Sequence, residues 1–488
     1  MSFFLCSYFL FLPLDLFPQT QTGQNQNKPK SEVNSQPQVA PKQEIPSWLG
    51  EFKKLDEAEL AEKKEGWYLT GLPLFGEDPV AGRGLGAIGN LFYNGTKESP
   101  SFAYAPYEYL FTVSSYRTNR GTQNTAFAWD APYFLDSPYR LRGLVGHDVS
   151  LNSQYFGFGS QSLQPLSYQS RNQPEGQVFR NARYPDYESA NAFGTNRGPG
   201  REFVSTSRYH EYYFETTYSQ FFVDKTIYKV FRIWGGTELS KNVVRRWDGT
   251  WTSAREPLTG ISFPAPENTT KVTEDSKNEK IIGLEGGYLN YARGGIAYDT
   301  RDYEPDPDSG MLIEYTINRA DSRIGSDYNY TRHTGQFKHF YQPFPKLFEE
   351  FVIAQRVLLT KVEGQVPFFE YRYLYTIDGY INALGGSNSL RGYRQERFMG
   401  PVTGFYNIEF RMRMGSFHLG SNFFQVSVVP FFDTGRVWDK LRQINTQGYL
   451  YSHGLGLRLV WDQATVIQMD WAVSREERLF YLDIGHVF

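Results

Sequence analysis

The 488 residues are 17% aromatic, with 35 Tyr and 39 Phe, yet 21% are charged, and the net charge is only -3. A nearly neutral chain has no global basic field, so no nucleic-acid partner is expected. Mean hydropathy is -0.51, and beyond residue 17 no apolar run approaches the ~18 residues of a spanning helix, which excludes a helical membrane protein. The single cysteine, Cys6, lies in an apolar leader, so a chain without that leader has no disulfide or Cys-based metal chemistry. A membrane β-barrel accounts for this composition, since alternate residues of each strand meet lipid and a polar lumen. On composition alone a soluble all-β protein is the alternative.

Residues 1–17, MSFFLCSYFLFLPLDLF, have the length and apolar core of a signal peptide but lack its basic start and small-residue cleavage site. Residues 18–46, rich in Gln, Asn, Lys and Pro, cannot bury a core and read as a disordered linker. Residues 47–65 run from Ser47, a candidate N-cap, through helix formers to Lys63, Lys64 and then Gly66, predicting one short periplasmic helix. Its Trp48, Phe52 and Leu55 either rest on the mouth of a barrel or the helix is simply solvated.

From residue 66 onward, turn signals separate strands expected at 83–93, 106–116, 124–133, 137–147, 152–160, 209–222, 225–236, 290–301, 311–319, 334–342, 350–361, 402–414, 423–437, 453–461, 465–473 and 479–488. An even number, here about 16, is what an antiparallel barrel with both ends on one side requires. Period-two alternation is clearest at Tyr406, Ile408, Phe410, Met412 and Met414 against Asn407, Glu409, Arg411 and Arg413. It recurs in Met311, Ile313, Tyr315 and Ile317 against Leu312, Glu314, Thr316 and Asn318, and in Leu455, Leu457, Leu459 and Trp461 against Gly456, Arg458 and Val460. Long connections, 161–208, 237–289 and 362–401, fall on one side and short ones on the other. Pro430, mid-strand, predicts a bulge before Asp433. The last segment, LFYLDIGHVF, sets Phe480, Leu482 and Ile484 against Tyr481, Asp483 and Gly485 and ends on Phe488. An aromatic there resembles the signal read by the barrel assembly machinery.

The sequence has no G-x-S-x-G elbow and no paired-His metal spacing, and its seven histidines are scattered singly, so no enzyme, cofactor or metal is expected.

Three ordered segments carry a family resemblance. GGSNSLRGY at 385–393, the Asn407–Phe410 stretch, and FFDTGRVWD at 431–439 resemble the BamA/TamA superfamily of bacterial surface antigens, outer-membrane β-barrels; GIAYDTRDYEPDPDSG at 295–310 is similar to its strand, turn and next strand. The resemblance is strong over 290–488 and rests on strand pattern alone before that. It implies that Leu390, Arg391, Gly392 and Tyr393 lie on a sixth external loop folded into the lumen, with Arg391 latched by Glu409 and Asp433. A guanidinium there needs such partners, and Gly392 would permit a close backbone approach while Tyr393 packs on the inner wall.

The family resemblance further implies a protein of the bacterial outer membrane that helps polypeptides into or across it through a seam between first and last strands. Expected partners are then outer-membrane lipid, polypeptide clients, and the barrel assembly machinery during insertion. Gly84 and Gly86, on the strand expected to be first, would either weaken pairing at that seam or mark curvature. Better-known members carry periplasmic POTRA domains ahead of the barrel, and residues 1–65 fit none. That departure leaves a second reading open, a passive pore or structural surface antigen with external binding loops.

Overall fold

The computed structural model describes residues 45–55, 57–78, 82–119, 121–169, 178–187, 209–248, 254–255, 262–263, 269–344 and 350–488. The expected signal peptide and all but the end of the expected linker lie outside these residues, as do parts of the long connections.

Sixteen strands form one antiparallel sheet in chain order. They are β1 (Trp67–Asp78), β2 (Gly82–Tyr93), β3 (Tyr109–Thr118), β4 (Gln123–Ala131), β5 (Tyr139–Gln154), β6 (Glu211–Ile227), β7 (Phe231–Arg246) and β8 (Gly287–Asp299), followed by β9 (Gly310–Ala320), β10 (Tyr330–Tyr341), β11 (Phe351–Gly364), β12 (Val402–Leu419), β13 (Asn422–Trp438), β14 (Leu450–Trp461), β15 (Thr465–Ser474) and β16 (Arg478–Ile484). The architecture is an all-β, membrane-spanning antiparallel barrel. Its burial is inverted relative to a soluble sheet. On β9, Leu312, Glu314, Thr316 and Asn318 are buried while Ile313, Tyr315 and Ile317 are exposed. On β14, Arg458 is buried and Leu455 and Leu457 are exposed. Apolar side chains on the outer face cost nothing when the surrounding medium is hydrocarbon, and polar ones turn toward the lumen.

The expected count of strands agrees with the structure, but by compensation. Trp67–Asp78 was missed because Gly71, Pro73 and Gly76 read as turn punctuation; a proline is tolerated on the end strand of a sheet, where one row of backbone groups has no strand partner. The strand expected at 152–160 does not exist as a unit. β5 runs on to Gln154, and Gly157 and Gly159, at φ of 106° and 61°, then turn the chain into a 3-10 turn. Pro430 interrupts the β12–β13 ladder without shifting it; the shift lies between Arg413 and Gly415, where Gly415 has φ of 151°. The last strand stops at Ile484 rather than at Phe488.

The connections at one end, here the turn end, are short: 228–230, 420–421 and 462–464 join β6–β7, β12–β13 and β14–β15. The opposite loop end carries 155–210, 247–286 and 365–401. Loop 365–401 fills the lumen. Phe368, Phe369, Tyr375 and Met399 pack on inward Tyr212, Phe214, Tyr291 and Tyr330, while Leu384, Leu390, Tyr393 and Phe398 pack with Leu358, Phe405 and Leu450.

At the turn end, residues 47–65 form two pieces rather than one helix: a 3-10 turn at Glu51–Lys53, capped by Gly50 and not Ser47, and α1 (Glu57–Glu62). Trp48 sits against Tyr104 and Tyr133, and Leu55 is buried, its N–H donating to the Ala103 carbonyl. The segment therefore rests on the barrel mouth.

Candidate functional site

Loop 365–401 enters the lumen because its backbone and charges find partners on the wall. The hairpin Tyr373–Asn382 reaches furthest toward the turn end, where Ile377 N–H donates to Glu314 (3.0 Å) and Asp378 accepts from Lys338 (2.7 Å). The chain then doubles back through 385–398. Gly392 has φ of +85°, and a Cβ on it would meet the Val473 carbonyl carbon at 3.0 Å, so glycine is required both for the turn and for the approach to β15. Its N–H donates to the Tyr481 hydroxyl (3.1 Å) and its carbonyl accepts from Ser474 (2.6 Å).

Arg391 is 0% exposed. Its Nε and Nη2 donate side by side to the two oxygens of Asp433, each at 2.8 Å, and Nη1 donates to Glu409 and Asp470, also at 2.8 Å. The guanidinium carbon lies over the Phe431 ring, 3.4 Å from its centroid. Two more cations complete the cluster: Arg458 donates to Asp470 (2.5 Å) and Glu409 (3.1 Å), and Arg411 to Glu409 (3.1 Å). Arg391, Arg411 and Arg458 thus balance Glu409, Asp433 and Asp470, which is how charges persist away from water. Asn407 extends the network from Asp433 to the Ser389 carbonyl and to Arg356. Burial opposes the charge of Arg391, but Asp433, Glu409 and Asp470 outweigh it and raise its pKa well above the ordinary value.

The structure brings Leu390, Arg391, Gly392, Tyr393, Glu409 and Asp433 together. Leu390 and Tyr393 are buried, Tyr393 edge-on to Phe398 at 5.3 Å. Asp470 and Arg458 belong to the same cluster and were not singled out from sequence, although Arg458 was on the face opposite Leu455 and Leu457. The remaining site residues fall elsewhere. Gly84 and Gly86 lie on β2, which is paired on both sides, so they are not on the first strand. Side chains there would collide with Tyr116, whose ring covers both glycines, so they serve close packing inside the barrel. Phe480 faces outward, 65% exposed. Phe488 does not continue its strand. After Gly485 donates to the Val466 carbonyl (2.7 Å), the chain turns inward, and Phe488 packs on Phe340, Arg356 and Arg411 in the lumen.

β1 and β16 end the sheet, and no ladder joins them among the described residues. The Thr70 and Thr465 hydroxyls, 2.8 Å apart, link β1 to β15.

At the loop end, Arg394 and Arg397 pair with Glu477 and Glu476, and Arg397 lies over the Phe156 ring. Phe156 stacks on His210, whose Nδ1 donates to the Tyr155 carbonyl (2.9 Å) while Nε2 accepts from the Tyr187 hydroxyl (2.6 Å). Burial pushes the His210 pKa from 6.5 down to about 3, with Arg397 and Lys271 adding to the shift and the Tyr155 carbonyl and Asp275 opposing it.

Two outcomes follow from this geometry. Replacing Arg391 with Met leaves three carboxylates facing two guanidiniums, which should cost ~3–5 kcal/mol in unfolding free energy measured in lipid vesicles, and Arg391→Lys should recover little because an ammonium cannot bond Asp433 in parallel. A loss below ~1 kcal/mol for Arg391→Met would show the cluster to be wet and weak. For His210, an unfolded imidazole takes up a proton between about pH 3 and 6.5 that the folded one does not. The stability it contributes is complete above that window and declines as pH falls through it. Hydrogen-exchange protection at 155–163 should therefore fall from about pH 7 to 5 and not do so in His210→Gln; parallel declines would contradict this.

A family model described as the Omp85 superfamily domain matches residues 111–488. Another, described as a domain of unknown function (DUF5982), matches residues 45–108. The chain is similar to the outer membrane protein assembly factor BamA of Nitratidesulfovibrio vulgaris, 23% identical over 214 residues, 41% of this chain and 24% of that protein. It thus spans about a quarter of the length of that curated relative. BamA from Haemophilus ducreyi lacking POTRA domains 1-3 aligns over 86% of this chain and 70% of that one, at 14% identity and a TM-score of 0.46. CdiB from Escherichia coli aligns over 86% and 61%, at 10% identity and a TM-score of 0.44. Since the first family model covers the chain from within β3 to the final residue, the chain belongs to the Omp85 superfamily and is an outer-membrane β-barrel.

Proposed function

We propose that this barrel assists insertion or translocation of polypeptides at the outer membrane, using a seam between β1 and β16 while loop 365–401 stays fixed by Arg391. The observation that carries this is the asymmetry of attachment. The loop is tied by buried ion pairs to Glu409, Asp433 and Asp470 on β12, β13 and β15, whereas among the described residues β1 has no ladder to the other end of the sheet and meets it through the Thr70–Thr465 hydrogen bond. A firm wall beside a weakly joined end strand suits edge pairing with an incoming strand, which needs one free row of backbone groups. On this reading the chain performs no covalent chemistry, its clients are polypeptides, its surroundings are outer-membrane lipid, and the barrel assembly machinery handles its own insertion.

A passive pore is favoured by one feature, a lumen cavity of about 570 Å³ at the turn end lined by Arg140, Arg142, Lys338, Arg356 and Asp378. The test separates the two. Thr70→Cys with Thr465→Cys, in a chain whose one native cysteine is Cys6, should form a disulfide that joins β1 to β15. Insertion or translocation through the seam predicts that oxidised cells lose specific outer-membrane or exported proteins and regain them on reduction. A readily formed disulfide with no such loss would leave the pore.

A further inference from the structure

The short segment before β1 makes contacts that the mouth-covering role does not account for. Lys64 Nζ donates to Asn422 Oδ1 and to Asp462 Oδ2, each at 2.6 Å. Asn422 begins β13 and Asp462 follows β14, so both acceptors lie on the far side of the gap between the sheet's ends. The backbone carbonyl of the same lysine accepts from Asn94 Nδ2 (2.7 Å), which follows β2 on the near side. One residue therefore grips both sides.

Its neighbours divide in the same way. Lys63 donates to the Phe102 and Ala105 carbonyls at 2.7 and 2.6 Å, and Gly66 N–H donates to the Gly95 carbonyl at 2.7 Å, anchoring the segment to the β2–β3 connection. Glu62 pairs with His418, at the end of β12, at 2.9 Å. The receiving carboxylate is itself fixed: Asp462 Oδ1 accepts from Phe423 N–H (3.0 Å) and its side chain is almost wholly buried. β16 ends at Ile484 and the chain then turns into the lumen. At the turn end the gap between β1 and β15 is thus spanned by side chains where a ladder would otherwise run.

We propose that residues 62–66 are a clasp that holds the turn end of the seam shut, with Lys64 on Asn422 and Asp462 as its fastening. The segment covered as one unit with β1 and β2, residues 45–108, then contains both the moving strand and its restraint. Opening requires a partly exposed ammonium to leave a buried carboxylate, while the near-side bonds of Lys63 and Gly66 travel with β1. This rests on the seam reading above and adds what restrains the seam.

The test is amide hydrogen exchange of the full chain in lipid vesicles, comparing the parent with Lys64→Met and Lys64→Arg. Lys64→Met keeps most of the aliphatic stem and removes the ammonium, which lies 5.6 Å from the Tyr68 ring centroid. Exchange in 67–78 and 478–484 should quicken about fivefold in Lys64→Met and stay near the parent rate in Lys64→Arg, with β6 and β7 unchanged in both. Unchanged exchange at 67–78 and 478–484 in Lys64→Met overturns the clasp, and so does a quickening shared by β6 and β7, which would mean general loosening. The readout uses no client. Faster seam exchange together with a harmless Thr70–Thr465 disulfide keeps the clasp and removes the insertion reading; a harmful disulfide with unchanged exchange does the reverse.

Discussion

A guanidinium cannot shed its proton, so an arginine carried on a loop to a fully buried place in the barrel is stable only where oxygen acceptors, and best of all carboxylates, are already in place. That constraint organises the lumen. Arg391 arrives on a loop, and the strands that receive it supply Glu409, Asp433 and Asp470 at matched distances while Arg411 and Arg458 restore neutrality. Because the acids sit on β12, β13 and β15, the pairing does more than hold the loop. It ties strands of the last part of the sheet to one another through the interior, in addition to their ladders.

The other end of the sheet is built differently. β1 carries Pro73 and two glycines, Gly71 and Gly76, and presents Trp67, Leu69 and Phe75 to the outside, with Thr70 as its hydroxyl contact to β15. Charged contacts to the far side come from Lys64 and Glu62, ahead of the strand. A sheet whose last strands are tied through the lumen by several buried ion pairs, and whose first strand is held by a buried hydroxyl pair and partly exposed charged side chains, will move at the first strand first, since local opening follows the weakest contacts.

Much of this was legible in the residues. Alternation set Glu409 and Arg411 on one face and Tyr406 and Ile408 on the other, and the Leu390–Tyr393 motif with the acids after it pointed to an inward loop. Asp470 was not legible because it is a lone acid among Val466, Ile467, Met469 and Trp471, and nothing local shows that Arg391 and Arg458 will come to it. β1 was hidden by its own glycines and proline. Phe488 read as the end of an alternating strand, yet its position is decided by Phe340, Arg356 and Arg411, from strands distant in sequence. Lys63 and Lys64 looked like an ordinary helix end, and their acceptors lie on the connections after β2 and at the β12–β13 and β14–β15 turns.

On the seam reading, polypeptides engage the outward edge of β1 and no other part of the wall. Photo-crosslinkers at Leu69, on β1, and at Ile233, on β7, compare two outward positions that are 69% and 52% exposed. In living cells, irradiation should give polypeptide adducts from position 69 and lipid adducts alone from position 233. Lipid adducts alone from both, or the same polypeptides from both, would contradict the account.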